Sequence, residues 1–152
     1  MTENELLNRA EVYCSAAERC RCEVVLHLKD RKTGEVPDSG MQERILDSLE
    51  RNGYLDERRY ARAYVHDKFA FSGWGRKKIR IALAGKKIPS PIIDEALDVI
   101  DETEYSAKLR GLLDAKQRNV TARNDYERSV KLVRFAAQRG FEPELAMKIL
   151  KM

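Results

Sequence analysis

The chain has 152 residues, 43% hydrophobic and 36% charged, which provides enough apolar material for a core inside an unusually charged surface. This length suits one compact domain or a short array of small helical units and argues against two large domains. The net charge of +4 is modest but unevenly spread: residues 58–87 hold ten Lys or Arg against the single acid Asp67, whereas residues 94–104 hold six acids and no base.

The start, MTENELLNRA, has neither a basic segment nor a continuous apolar run, and no stretch approaches the roughly 20 apolar residues of a bilayer span, so a cytoplasmic protein without a membrane partner is expected. Cys14, Cys20 and Cys22 form an odd-numbered cluster that suits reduced thiols better than a disulfide framework. Together with His27 they would supply four zinc ligands. On a helix, however, Cys20 and Cys22 point about 200° apart and Cys20 and His27 lie roughly 10 Å apart, so no metal is expected there.

Apolar spacing is helical nearly everywhere; only VVLHL at residues 24–28 weakly alternates. Val24, Leu28, Val36, Met41, Ile45, Leu46 and Leu49 outline a first helical unit that ends at Asn52-Gly53 and contains the polar linker DRKTGEVPDSG. The clearest helix follows Asp56, a good cap, with Tyr60 placed to staple back onto Leu55. Tyr60, Ala61, Tyr64, Val65 and a snorkelling Lys68 form its apolar back, while Arg58, Arg59, Arg62 and His66 fall within about 100° on its front. After FSGWG, in which Ser72 can cap and Gly73 and Gly75 relax the backbone, a second helix directs Ile79, Ala82 and Leu83 inward. Arg76, Arg80 and Lys87 share its outer flank, and Lys77 widens that patch. Ser90 and Pro91 then start a third helix near Ile92, running through Ala96, Leu97 and Ile100.

This pattern recurs 53 positions later. Lys78-Ile79, Ile88, Ile92 and Leu97 are echoed by Lys131-Leu132, Phe141, Leu145 and Leu150, with Pro143 in the closing first turn. Residues 105–117 would supply the first helix of this last unit. The fold expected is therefore all-α, with three tandem three-helix repeats in a curved, elongated array: a divergent first at 1–53, a second at 54–104 and a third at 105–152.

Catalytic chemistry finds little support. His27 and His66 have no nucleophile beside them in sequence, the paired acids sit at helix starts, and GWGRKK matches neither a P-loop nor a dinucleotide motif, so no catalytic residue, enzyme activity or cofactor is expected. Arg76, Lys77 and Lys78 crowd the positive end of a helix, which implies an anion beside them: nucleic-acid phosphate with Trp74 available for stacking, or an acidic protein surface. Trp74 either covers the helix junction or anchors a partner.

Asn52-Gly53-Tyr54-Leu55-Asp56-Glu57-Arg58-Arg59-Tyr60-Ala61, then Gly75, Lys78-Ile79, Leu83 and Ile88, then Lys131-Leu132 and Arg139-Gly140-Phe141, resemble the RecX regulatory proteins over nearly the whole chain. The resemblance implies a non-enzymatic modulator of the RecA recombinase filament on single-stranded DNA, usually an inhibitor of strand exchange and ATP hydrolysis. It implies three three-helix repeats as well. The contact residues it suggests are Arg58, Arg59, Arg62, Trp74, Arg76, Lys77 and Arg80, with Lys131 and Arg134 on the last repeat, in a protein expected to be monomeric with at most weak direct DNA binding. The chain departs from the family pattern at Gly85-Lys86-Lys87-Ile88, where relatives usually have glycine directly before the apolar residue. The rivals are a free-standing helical DNA-binding protein, for which few Asn or Gln accompany the arginines, and a protein-only scaffold.

Overall fold

The computed structural model describes residues 1–152 as nine helices with no strand. They are α1 (Glu3–Ala16), α2 (Arg21–His27), α3 (Ser39–Arg51), α4 (Glu57–Ala70), α5 (Arg76–Gly85), α6 (Ser90–Leu97), α7 (Glu102–Gln117), α8 (Asp125–Gln138) and α9 (Pro143–Leu150). Helices pack mainly within consecutive groups of three, α1–α3, α4–α6 and α7–α9, and each group has its own core.

Local chemistry accounts for most of the starts. Thr2, Asp38, Asp56, Asp101 and Asn124 each cap their helix by accepting from a backbone N–H three residues on, a contribution of about 1 kcal/mol apiece. Proline opens α9 at Pro143 and stands in the first turn of α6 at Pro91, where its missing N–H leaves no helical bond unmade. Two expected starts differ. Helix α6 begins at Ser90 itself rather than being capped by it, and α7 begins at Glu102, before its first apolar residue Tyr105, because its polar first turn carries no apolar spacing.

The first unit departs further from expectation. VVLHL is helical: Val24 is buried while Leu26 is exposed, as a helix of period 3.6 requires. Cys20 lies just outside α2 as its N-cap, with its N–H donating to Glu23, so the geometry of two thiols on one helix does not apply. Val36 is exposed in the α2–α3 linker rather than in the core, and α1 supplies Leu6, Ala10 and Cys14 instead. Leu55 buries in the first core and Tyr60 in the second, so they do not form the expected staple.

One turn recurs. Helices α3, α5 and α8 all end in a left-handed residue, Gly53 (φ 77°), Lys87 (φ 62°) and Gly140 (φ 91°). The next residue's N–H reaches back to a helical carbonyl: Tyr54 to Leu49, Ile88 to Leu83 and Phe141 to Ala136. Lys87 and Gly140 are related by the 53-residue offset, so the departure noted at Lys86-Lys87-Ile88 places a lysine where the backbone favours glycine, at a cost of roughly 1 kcal/mol.

Candidate partner-binding surface

The stretch FSGWGRKKI lies where the second unit meets the third. Helix α5 has no side-chain cap; Gly75, not Ser72, is its N-cap. Its first amides are satisfied across the junction: Gly75 N–H donates to the Arg139 carbonyl (2.7 Å), Arg76 N–H to the Tyr105 hydroxyl (3.0 Å) and Lys77 N–H to the Gly140 carbonyl (3.0 Å). The negative end of α8 thus abuts the positive end of α5. Such an approach requires glycine on both sides. A Cβ on Gly75 would overlap the Gly140 carbonyl and Phe141 nitrogen, and one on Gly140 would overlap Lys78.

Side chains complete the joint. The Tyr105 hydroxyl donates to Glu142 (2.6 Å), and the Arg76 guanidinium lies 3.9 Å over the Tyr105 ring while pairing with Glu102 (2.6 Å) and Glu142 (3.5 Å). Arg139 donates to the Ser72 carbonyl (2.9 Å) and Lys108 to the Ala70 carbonyl (2.8 Å). Burial and the Glu142 hydrogen bond both push the Tyr105 hydroxyl above the ordinary phenol range, so it stays protonated and able to donate. The anion inferred beside Arg76 is therefore internal, and sequence alone had no means of locating it.

The same holds for much of the basic stretch. Arg58 pairs with Glu95, Arg80 with Asp94 and Arg76 with Glu102, so the acidic segment after α5 folds back onto the basic one. Arg59 pairs with Glu18 (2.5 Å) and Lys86 with Glu23 (3.1 Å), both across the junction with the first unit. In the third unit Lys131 is held by the Thr121 carbonyl and Glu127. Arg58, Arg59, Arg76, Arg80 and Lys131 are thus engaged within the protein, whereas Arg62, Lys77 and Arg134 are exposed and make no ion pair.

Around Trp74 the arrangement differs. Lys68 Nζ sits 5.5 Å from the Tyr64 ring and 4.7 Å from the Trp74 ring, and Lys78 Nζ sits 4.5 Å from Trp74, giving an alternation of aromatic and cation. Trp74 is half-buried and packs on the second core, so it both covers the junction and meets the surface. Sequence reasoning singled out Trp74 and Lys77, gave Lys68 only a packing role, and counted Lys78 among the cations at the start of α5 without naming it as a contact. Helix periodicity aligns Tyr64 with Lys68, but only the fold brings Trp74 over both lysines. Lys68, Lys77, Lys78, Lys87 and Arg62 form no ion pair, leaving the second unit with five uncompensated cations.

Family models for the second and the third three-helix domain of RecX match residues 56–97 and 102–150. The chain belongs to the RecX family. It is 29% identical to the regulatory protein RecX of Leptothrix cholodnii over 147 residues, covering 97% of this chain and 88% of that protein. It is 33% identical to the RecX of Thermus thermophilus over 110 residues, covering 72% and 68%. The crystal structure of RecX from Lactobacillus salivarius superposes with a TM-score of 0.85 at 21% identity, covering 98% of this chain and 94% of that one, a likeness of fold. These names support a regulatory role for this RecX-family chain, and the repeated three-helix architecture is that of the family. No helix is long and apolar enough to cross a membrane.

Proposed function

We propose that this RecX-family chain is a non-enzymatic, monomeric, cytoplasmic regulator of the RecA recombinase filament on single-stranded DNA, and that it lowers filament-dependent ATP hydrolysis and strand exchange. Its three units, taken as 1–53, 54–104 and 105–152, would lie along the filament with the second unit as the principal contact. Family membership supports this choice of partner class. The observation that carries the surface is the Tyr64–Lys68–Trp74–Lys78 alternation beside unpaired Lys77, an arrangement suited to a phosphate backbone with unstacked bases or to an acidic protein face.

Among the contacts suggested by sequence, Arg62, Trp74, Lys77 and Arg134 are ready to engage a partner as they stand. Arg58, Arg59, Arg76, Arg80 and Lys131 would first have to exchange an internal carboxylate. Lys87 joins the ready set, held exposed in a strained backbone position.

The test is to add the protein to preformed filaments and, separately, to naked duplex. Suppressed ATP hydrolysis at concentrations that hardly shift duplex supports the proposal. Tight duplex binding with no filament effect would favour the free-standing DNA-binding reading and sink this one.

A further inference from the structure

The first unit carries a second aromatic and cationic constellation, remote in sequence from the basic stretch. Tyr13 on α1 and His27 at the end of α2 stack with centroids 3.9 Å apart and planes 2° from parallel. The Arg19 guanidinium lies 3.9 Å from the Tyr13 centroid, and its Nε donates to the Tyr13 carbonyl. Two planar groups cannot both occupy one face of a ring at that distance, so the order is Arg19, Tyr13, His27, with His27 outermost and exposed. Arg9 donates to the His27 carbonyl at 3.2 Å, which fixes its guanidinium beside the stack. Arg9, Arg19 and the exposed Arg31 form no ion pair, unlike most arginines of the second unit. A shallow depression lined by Asn8, Arg9, Val12, Tyr13, Ala16 and His27 opens beside the rings, and Val12 is exposed there.

Stacked rings, unpaired arginines and an exposed aliphatic side chain answer the needs of an unpaired nucleotide: a base seeks a flat π-face, and its phosphate seeks a cation no carboxylate has claimed. We infer that the Arg19–Tyr13–His27 stack and Arg9 form a binding platform for single-stranded nucleic acid on the first unit, separate from the second-unit surface and functioning without any recombinase.

Protonation is coupled to that site. Partial burial and the charges of Arg9 on α1, Arg19 between α1 and α2, and Arg31 after α2 hold the His27 pKa below its ordinary value, while the Tyr13 ring stacks on its inner face. A phosphate arriving among the arginines stabilises imidazolium and raises that pKa, so binding tightens as pH falls.

The test uses the full chain, a short oligothymidylate and no recombinase. The chain has two histidines and one tryptophan, so the His27 imidazole resonances report the first unit and Trp74 fluorescence the second. The platform predicts that the His27 resonances move with bound oligonucleotide and that their pKa rises. It also predicts that an Arg9→Gln/Arg19→Gln double variant of unchanged helicity binds about tenfold more weakly, with a lower salt slope. Should the double variant not fold, the wild-type His27 response decides. His27 resonances that stay put at saturation while Trp74 responds would overturn the inference, as would an equal response to inorganic phosphate or to an acidic peptide at the same concentration.

Discussion

The two junctions between units are built differently. Between the second and third units, backbone meets backbone: Gly75 and Gly140 approach so closely that neither tolerates a Cβ, and α5's first amides are satisfied by α8's last carbonyls and Tyr105. Between the first and second units, contact is made by side chains. Arg59 pairs with Glu18, Lys86 with Glu23, and Glu57 accepts from the Arg21 amide, while Cys20 and Cys22 pack into the second core. The first kind of joint is steric and has one geometry. The second is held by partly exposed charges, which adjust readily and weaken with salt.

The largest effect is expected from Gly75→Ala. Its Cβ would collide with backbone that cannot step aside, so a loss of about 3 kcal/mol is expected in urea unfolding, against about 1 kcal/mol for Gly53→Ala, whose Cβ meets nothing. Tyr105→Phe removes the hydroxyl that bridges the Arg76 amide and Glu142 and should cost roughly 1–3 kcal/mol by the same measurement.

Alkaline pH separates the junctions chemically. Burial pushes the Cys20 thiol from an ordinary value of 9.0 up to about 11. Folded and unfolded chains are both protonated below pH about 9, so this contribution to stability is complete there. Above it the unfolded chain ionises first, and the contribution is lost as pH rises through about 11. The unfolding midpoint should fall across that window, and Cys20→Ala should flatten the fall; an unchanged slope would contradict the assignment. Tyr60 and Tyr105 are also pushed up by burial from an ordinary value of 10.0, so their loss begins as pH passes about 10, overlaps the upper part of the Cys20 window and continues above it.

The smallest effect belongs to the ionic joint. Lys86→Met should cost under about 1 kcal/mol, and 1 M salt should loosen α2 against α4 and α5, seen as faster amide exchange at Arg21, while exchange at Lys77 hardly changes.

How much of this could be read from sequence follows the range of the interaction. The Asp56 cap, the apolar back of α4 and the 53-residue echo joining Ile79 to Leu132 and Ile88 to Phe141 were legible, because each depends on local spacing. The meaning of Gly75 was not, since it needs Gly140 from another unit. The pairing of Arg58 with Glu95 and Arg80 with Asp94 was hidden for a similar reason: the lopsided charge distribution is visible in the sequence, but only the packing of α4, α5 and α6 shows that one block neutralises part of the other. Lys78 was missed as a contact because its partner ring, Trp74, sits in a loop before the helix.

If the uncompensated cations of the second unit, rather than its ion-paired arginines, engage the filament, two double variants should separate in an assay of filament ATP hydrolysis. Lys77→Ala/Lys78→Ala removes free charge, and Arg58→Ala/Arg80→Ala removes charge already neutralised. The lysine pair should lose most of the inhibition, about tenfold or more in effective concentration, while the arginine pair stays within about twofold of the unmodified protein. Equal losses in the two variants, or a larger loss for the arginines, would contradict it.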